Sequence, residues 1–214
     1  MDLRNYIEHT ALKPDLSLNE LSVFCKEAIE NNFYGVCLPP YYIKQAYNLL
    51  EGSSTKVISV AGFPMGYSMI PTKVEEVKRI LDDGADEVDV VINISAVKNS
   101  NWAHVRNEIN SVTTAAHMKG KLIKMILETG LLTEDELIRC CDICAENDVD
   151  FLKTSTGFHT LGATSEVVRF LKEHSHGVKI KASGGIRTHD FAMELVHCGA
   201  DRIGTSSGLV IVQS

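Results

Sequence analysis

Residues 72–92 read TKVEEVKRILDDGADEVDVVI, and a change of hydrophobic period within them decides the fold class. Val74, Val77, Ile80 and Leu81 recur at helical spacing and mark one apolar helix face. Gly84 is placed to end that helix, because glycine adopts the left-handed backbone of a helix terminus at no steric cost. Residues 87–92 are then rich in valine and isoleucine, which suits a strand. One helix followed by one strand, joined tightly, is the repeating unit of a parallel α/β protein.

The same unit recurs along the chain. Strand candidates fall at 6–10, 35–38, 57–61, 87–92, 122–128, 151–154, 178–182 and 202–204, with amphipathic stretches between them. Helix starts are expected where a hydroxyl and a glutamate three residues apart can cap each other's orphan N–H groups: Ser17 with Glu20, Thr72 with Glu75, and Thr133 with Glu136. Gly199 in HCGAD ends a further helix. Eight such strands admit a closed barrel or an open doubly wound sheet, but no GxGxxG follows any strand, as a dinucleotide-binding sheet would require. No Pro-, Gly- or Ser-rich linker divides the chain. The expectation is α/β, a single (β/α)8 TIM barrel occupying residues 1–214 as one domain.

With 214 residues, 44% of them hydrophobic, the chain can bury a sizeable core without metal or disulfide support. A formal charge of −7 argues against a general nucleic-acid binder, since phosphate-backbone affinity needs clustered cations. An anionic substrate would need a local positive site. The opening MDLRNYIEHT holds no apolar signal core and no apolar run reaches membrane-span length, so a cytoplasmic location with reduced thiols is expected and no membrane partner. Cys141 and Cys144 form a CxxC, but no second Cys or His pair stands at zinc spacing, which favours a buried helical thiol cluster.

Catalytic groups of such a barrel belong at the carboxyl ends of its strands. Charged residues inside apolar runs gather there: Asp89 in EVDVVIN, Lys153 in FLKTSTG and Lys181 in KIKASGG. Each lysine alone could snorkel or pair with a carboxylate. Alternation puts Glu87 one step below Asp89 and Lys179 one step below Lys181, so part of this charge reads as pairing inside the barrel. A lysine that attacks a carbonyl must be unprotonated, whereas a free lysine keeps its proton up to about 10.4. A second ammonium facing it, with partial desolvation, would favour the free base, and Lys181 facing Lys153 fits that need. Asp89 would either balance the charge of the pair or shuttle protons.

Gly184 and Gly185 after the seventh candidate, and Gly204, Ser206, Ser207 and Gly208 in IGTSSG after the eighth, read as an anion cradle of backbone N–H groups and hydroxyls. Barrels often hold phosphate at those two loops. Lys124 and Glu128 share one strand face at a spacing of four, and pairing between them is expected. Cys37 at the mouth is read as a small buried apolar residue rather than a reactive thiol, His9 as a hydrogen-bonding residue without catalytic role, and Thr154 and Ser155 as strand-end caps or pocket hydroxyls.

These stretches carry a resemblance. IEHTALKP, VAGFPMG, GADEVDVVIN, the ET of ILETGLLT, DFLKTSTGF, IKASGGIR and RIGTSSG together resemble the deoxyribose-phosphate aldolases over nearly the whole chain. The resemblance implies Lys153 as the Schiff-base lysine, with Asp89 and Lys181 as proton donor and acceptor. It implies reversible cleavage of 2-deoxy-D-ribose 5-phosphate to acetaldehyde and D-glyceraldehyde 3-phosphate, no metal or organic cofactor, and by family habit a homodimer. The sequence departs from the family at Glu8, where aspartate is usual, at VCLPP, where many members have asparagine before a single proline, and at HTLGAT, which replaces a glycine-rich stretch. The first two are expected to lie off the lysine pair. Some members continue into a tail ending in tyrosine; this sequence ends VQS, from which lower turnover is expected. Two rival readings are a related lysine aldolase with another aldehyde or ketose phosphate, and a sugar-phosphate-binding barrel without catalysis. A metal-dependent aldolase is disfavoured, for no His and carboxylate cluster has ligand spacing.

Overall fold

The computed structural model describes residues 2–159 and 161–213; Thr160 of HTLGAT and the terminal Ser214 lie outside the described residues. Eight parallel strands close into a barrel in sequence order: β1 (Ile7–Thr10), β2 (Gly35–Leu38), β3 (Lys56–Ala61), β4 (Glu87–Val91), β5 (Leu122–Ile126), β6 (Phe151–Lys153), β7 (Lys179–Ser183) and β8 (Arg202–Thr205). Closure is made by β1 against β8, where Glu8 is level with Gly204. The outer layer among the described residues comprises α1 (Leu18–Glu30), α2 (Ile43–Leu49), α3 (Ile70–Asp82), α4 (Ile94–Lys98), α5 (Trp102–His117), α6 (Glu134–Glu146), α7 (Ser165–His174), α8 (His189–His197) and α9 (Gly208–Gln213).

Strand alternation sorts the side chains into two environments. Val36, Leu38, Val57, Val88, Val90, Ile123, Met125, Leu152, Ile180, Ala182 and Ile203 face outward and join the helices in one large apolar cluster. Each fully buried Val, Leu or Ile is worth about 1.5–3 kcal/mol, so this sheet-helix layer supplies the main hydrophobic stabilisation. The alternate residues face the barrel axis. On β2 and β3 these are Cys37, Ile58 and Val60, a small separate apolar cluster. On β1 and β4 to β7 the buried set instead contains Glu8, Glu87, Asp89, Lys124, Lys153 and Lys181. Charge at six neighbouring inner-face positions is unusual for a barrel core, because a buried charge is costly unless it is paired.

The capping boxes at Ser17/Glu20 and Thr133/Glu136 form with both reciprocal bonds. The one expected at Thr72/Glu75 does not: α3 begins at Ile70 with Met69 as its cap. Pro71 accounts for the earlier start, because its fixed φ suits the first helical turn and its missing N–H would have lacked a partner there anyway. Gly84 and Gly199 do end α3 and α8, with φ of 111° and 115°. Cys140, Cys141 and Cys144 are buried on the core side of α6 and remain free thiols, and burial pushes Cys140 and Cys141 up to about 12.

Beneath the centre of the barrel, the Arg202 guanidinium lies 3.7 Å from the Tyr34 ring centroid, and the Tyr34 hydroxyl donates to Glu87. Lys179, expected among the internal pairs, is instead exposed at this end, with its ammonium 5.5 Å from the Phe151 ring centroid. β7 begins at Lys179, so this side chain sits at the rim rather than in the interior.

Candidate active site

β6 aims Lys153 inward at the register level of Ile126 and Lys181, on the carboxyl-terminal half of the barrel. Its Nζ lies 2.8 Å from Oδ2 of Asp89, and Lys181 Nζ lies 2.6 Å from the same oxygen. The other carboxylate oxygen, Oδ1, accepts from Lys124 Nζ at 3.0 Å. Asp89 therefore joins three ammonium groups from three consecutive strands, β5 to β7. Burial alone would raise its carboxyl, but Lys124, Lys153 and Lys181 together hold it well below the usual carboxylate range.

Two further carboxylates complete the balance. Glu87 pairs directly with Lys124, and Glu8 pairs directly with Lys181 and lies 3.5 Å from Lys124. Glu8 thus touches the lysine network, contrary to the expectation that this departure lies off it. Closure of β1 onto β8 brings it there across a sequence separation of 173 residues. Burial pulls the Lys181 ammonium down, but Asp89 and Glu8 more than offset this and raise it above the ordinary lysine value. Lys124 is likewise raised well above it by Asp89, Glu8 and Glu87 against burial. Lys181 is accordingly a paired ammonium, not a bare charge facing Lys153.

The expected Lys124–Glu128 pair does not form. The backbone leaves β5 after Ile126, and Glu128 adopts φ 54° and ψ 59°, which turns its side chain away from Lys124. It accepts instead from the N–H and hydroxyl of Thr156, at 3.1 and 2.5 Å.

Above the network opens a pocket whose wall includes Thr10, Lys13, Lys153, Thr156, Phe158, Gly184, Gly185, Arg187, Gly204 and Ser206. Of the three buried lysines in the network, Lys153 alone contributes to this wall; Lys124 and Lys181 are fully buried below it. Gly184 and Gly185 have φ of 92° and 77°, a backbone that L side chains rarely adopt. Gly184 also receives the chain of Gly162, where an added Cβ would lie 2.2 Å from the Gly184 carbonyl oxygen. Gly204 leaves room for Lys181, whose Cε would lie 3.0 Å from a Cβ at that position. Ser207 is not part of the wall: its N–H donates to Thr205 Oγ1 and its carbonyl accepts from Ile211 at the start of α9.

Arg187 and Lys13 bring cations to the pocket that the sequence reading did not single out, although both sit inside the quoted IKASGGIR and IEHTALKP stretches. Phe63, beyond β3, meets Phe158, beyond β6, edge to face at 5.2 Å, so the segments that follow two strands far apart in the barrel order touch. Cys37 is buried below, its thiol pushed up by burial. His9 points outward, stacked on Phe24 at 3.9 Å and 3.4 Å from Glu27. Thr154 bonds the backbone of Ser183 in both directions, and the Ser155 hydroxyl has no partner among the described residues.

Fold and site together define a (β/α)8 barrel with an addressable lysine set in a charge-balanced interior beneath a pocket whose wall carries Lys13 and Arg187 along with Asp15 and Glu20. The chain belongs to the DeoC/LacD family of aldolases, whose family profile matches residues 1–214. It is 46% identical over 215 residues to a deoxyribose-phosphate aldolase of Thermococcus kodakarensis, covering 99% of this chain and 96% of that protein. A deoxyribose-phosphate aldolase of Desulfitobacterium hafniense is 46% identical over 213 residues, covering 99% and 98%. Among solved structures, the aldolase QR15 superposes with a TM-score of 0.95 at 41% identity, covering 100% of this chain and 95% of that one. The deoxyribose phosphate aldolase from Aeropyrum pernix, described as tetrameric, superposes with a TM-score of 0.93 at 33% identity, covering 99% and 90%.

Proposed function

We propose that the protein cleaves 2-deoxy-D-ribose 5-phosphate reversibly to acetaldehyde and D-glyceraldehyde 3-phosphate, through a Schiff base on Lys153. The observation that carries this reading is positional: Lys153 borders the pocket while Lys124 and Lys181 lie beneath it. Of the buried lysine network, a carbonyl carbon entering the pocket meets one amine, Lys153; the other lysine of the wall, Lys13, is exposed and stands outside that network.

In this reading Lys153 passes its ammonium proton to Asp89, the free Nζ attacks the aldehyde carbon, the carbonyl oxygen takes a proton, and loss of water leaves a protonated imine. The bond between C2 and C3 then breaks as the C3 hydroxyl gives up its proton, and the electron pair passes into the imine. Acetaldehyde remains on Lys153 as an enamine until it is protonated at carbon and hydrolysed. Asp89 and Lys181 are the groups in place to carry these protons, since Asp89 Oδ2 touches both ammonium groups. Because Lys181 is matched by Glu8 and Asp89, its task in this reading is proton transfer as much as repulsion of the Lys153 charge.

The phosphate end is assigned to the pole formed by Gly184, Gly185, Gly204 and Ser206, with Arg187 and Lys13 supplying positive charge; Ser207 would support that turn from behind. The whole chain 1–214 is proposed to act as one catalytic domain in the cytoplasm, as a homo-oligomer. Among the described residues no helix is long and apolar enough to cross a membrane. Sedimentation would separate the dimer expected from family habit from a tetramer.

The test is to mix the protein with 2-deoxyribose 5-phosphate, reduce with borohydride, and map the adduct by peptide mass spectrometry. A two-carbon adduct on Lys153 is the expected result. A folded protein that yields no adduct and releases no acetaldehyde would favour a binding barrel or a different aldolase substrate.

A further inference from the structure

Glu128 is a buried acid that the chemistry above leaves unused. It is a non-glycine residue in left-handed backbone, with φ 54°, a conformation that persists only where surroundings enforce it. Here the Thr129 N–H donates to the Thr154 carbonyl at 2.9 Å, and the Leu131 N–H to the Glu128 carbonyl at 2.9 Å. The side chain is fully buried, and its Oε1 has no hydrogen-bond partner among the described residues. Its Oε2 is committed to one residue, accepting both the N–H and the hydroxyl of Thr156.

This arrangement fixes the direction of the Thr156 hydroxyl. Glu128 Oε2 already accepts the Thr156 N–H, and the Thr156 hydroxyl donates to the same oxygen. One lone pair of Thr156 Oγ1 takes the Phe158 N–H at 3.1 Å. What is left on that oxygen is one acceptor position, and Thr156 stands in the pocket wall three residues beyond Lys153. Without Glu128 the hydroxyl could rotate and present its proton to the pocket instead.

We infer that Glu128 is a positioning residue that holds the Thr156 hydroxyl as an acceptor for a hydroxyl on the substrate chain bound to Lys153. The inference rests on the Schiff-base reading of Lys153. It selects a chemical class: an aldehyde whose carbon chain carries a hydroxyl within reach of the imine, since such a hydroxyl is a donor and must release its proton when the carbon-carbon bond breaks. Glu128 forms and breaks no covalent bond itself.

Two assays separate this role from a structural one. The first measures kcat and KM for cleavage of 2-deoxyribose 5-phosphate; the second measures the rate of borohydride-trapped adduct on Lys153 with acetaldehyde, which has no hydroxyl. Glu128→Leu should lower kcat/KM for the sugar phosphate about tenfold, the worth of one well-placed hydrogen bond, while acetaldehyde trapping stays within about twofold. Thr156→Val should show the same split, and the double variant should be no worse than either single one, because both changes remove one unit. Glu128→Gln keeps a neutral acceptor, weaker than a charged one, and should lose only about threefold. Equal losses in both assays, or additive losses in the double variant, overturn the inference. If Glu128→Leu does not fold, Glu128→Gln with Thr156→Val completes the same cycle. A wild-type protein that traps acetaldehyde yet leaves the sugar phosphate intact would count against the substrate assignment alone; 3-hydroxybutanal, which carries the corresponding hydroxyl, then replaces it in the trapping comparison.

Discussion

Replacing Lys124 by methionine removes one cation from a buried set of three ammonium and three carboxylate groups. Lys124 Nζ lies 3.0 Å from Asp89, 3.5 Å from Glu8 and in direct contact with Glu87. Methionine fills nearly the same volume, so the loss is electrostatic rather than a cavity. Glu8, Glu87 and Asp89 would then share two cations with little or no access to solvent. Breaking a buried pair by removing one partner costs about 3–5 kcal/mol. At roughly 2–4 °C per kcal/mol for a domain of this size, the melting temperature should fall by roughly 6–20 °C. The sign with pH follows from Asp89, whose folded value is depressed below the ordinary 3.8 by three lysines. Such a group contributes stability above its unfolded value and loses it as pH falls through the folded value. With one lysine gone the depression shrinks, so the destabilisation should be largest at neutral pH and narrow on acidification as the carboxylates take protons. Urea unfolding followed from neutral pH down past the ordinary 3.8 reads this directly, because the contribution is lost only between that value and the depressed folded one. The partner variant Lys124→Met/Glu87→Gln removes one charge of each sign and should recover at least half of the loss. A change under about 1 kcal/mol at pH 7, or no recovery in the double variant, would refute the claim that the interior is held by charge balance.

Lys181→Leu should cut turnover at neutral pH by about 10²-fold, the typical worth of a positioned proton-transfer group; near-normal kcat would remove Lys181 from the mechanism. Arg187→Ala and Ser206→Ala should raise KM for 2-deoxyribose 5-phosphate more than for unphosphorylated 2-deoxyribose, and equal losses on both would displace the phosphate from that pole. Gly204→Ala puts a Cβ 3.0 Å from both Lys181 Cε and Ser183 Cβ, so kcat should fall severalfold with a melting temperature close to the parent, as measured side by side by steady-state kinetics and calorimetry.

Most of the fold was legible because period and punctuation agree: the strands read at 35–38 and 87–92 coincide with β2 and, to one residue, β4. Errors arose where a rule of local spacing met a change of backbone. A spacing of four placed Lys124 and Glu128 on one face only while the chain stayed extended, and the left-handed turn at Glu128 broke that premise. Hydroxyl and glutamate spacing at Thr72 looked like a cap, but Pro71 had already committed the preceding turn to helix. The candidate site was legible as a set of charged residues at strand ends, since such residues are costly in apolar runs. Their pairing was not, because the partner of Lys181 on β1 is set by barrel closure and by no local pattern.

Charge balance also clarifies how three lysines in one interior can differ in availability. Each is drawn from a neighbouring strand, and each touches Asp89. Lys124 has Glu8 and Glu87 besides, and Lys181 has Glu8, whereas Asp89 is the one carboxylate in ion-pair contact with Lys153 among the described residues. Lys153 is also the one that borders the pocket. A covalent bond to Lys153 therefore disturbs a single ion pair, while a bond to either of the others would strip two or three buried carboxylates of their partner. In the proposed mechanism Lys124 and Lys181 would still hold Asp89 in place when Lys153 becomes an imine, so the interior would stay paired while the chemistry proceeds at its edge.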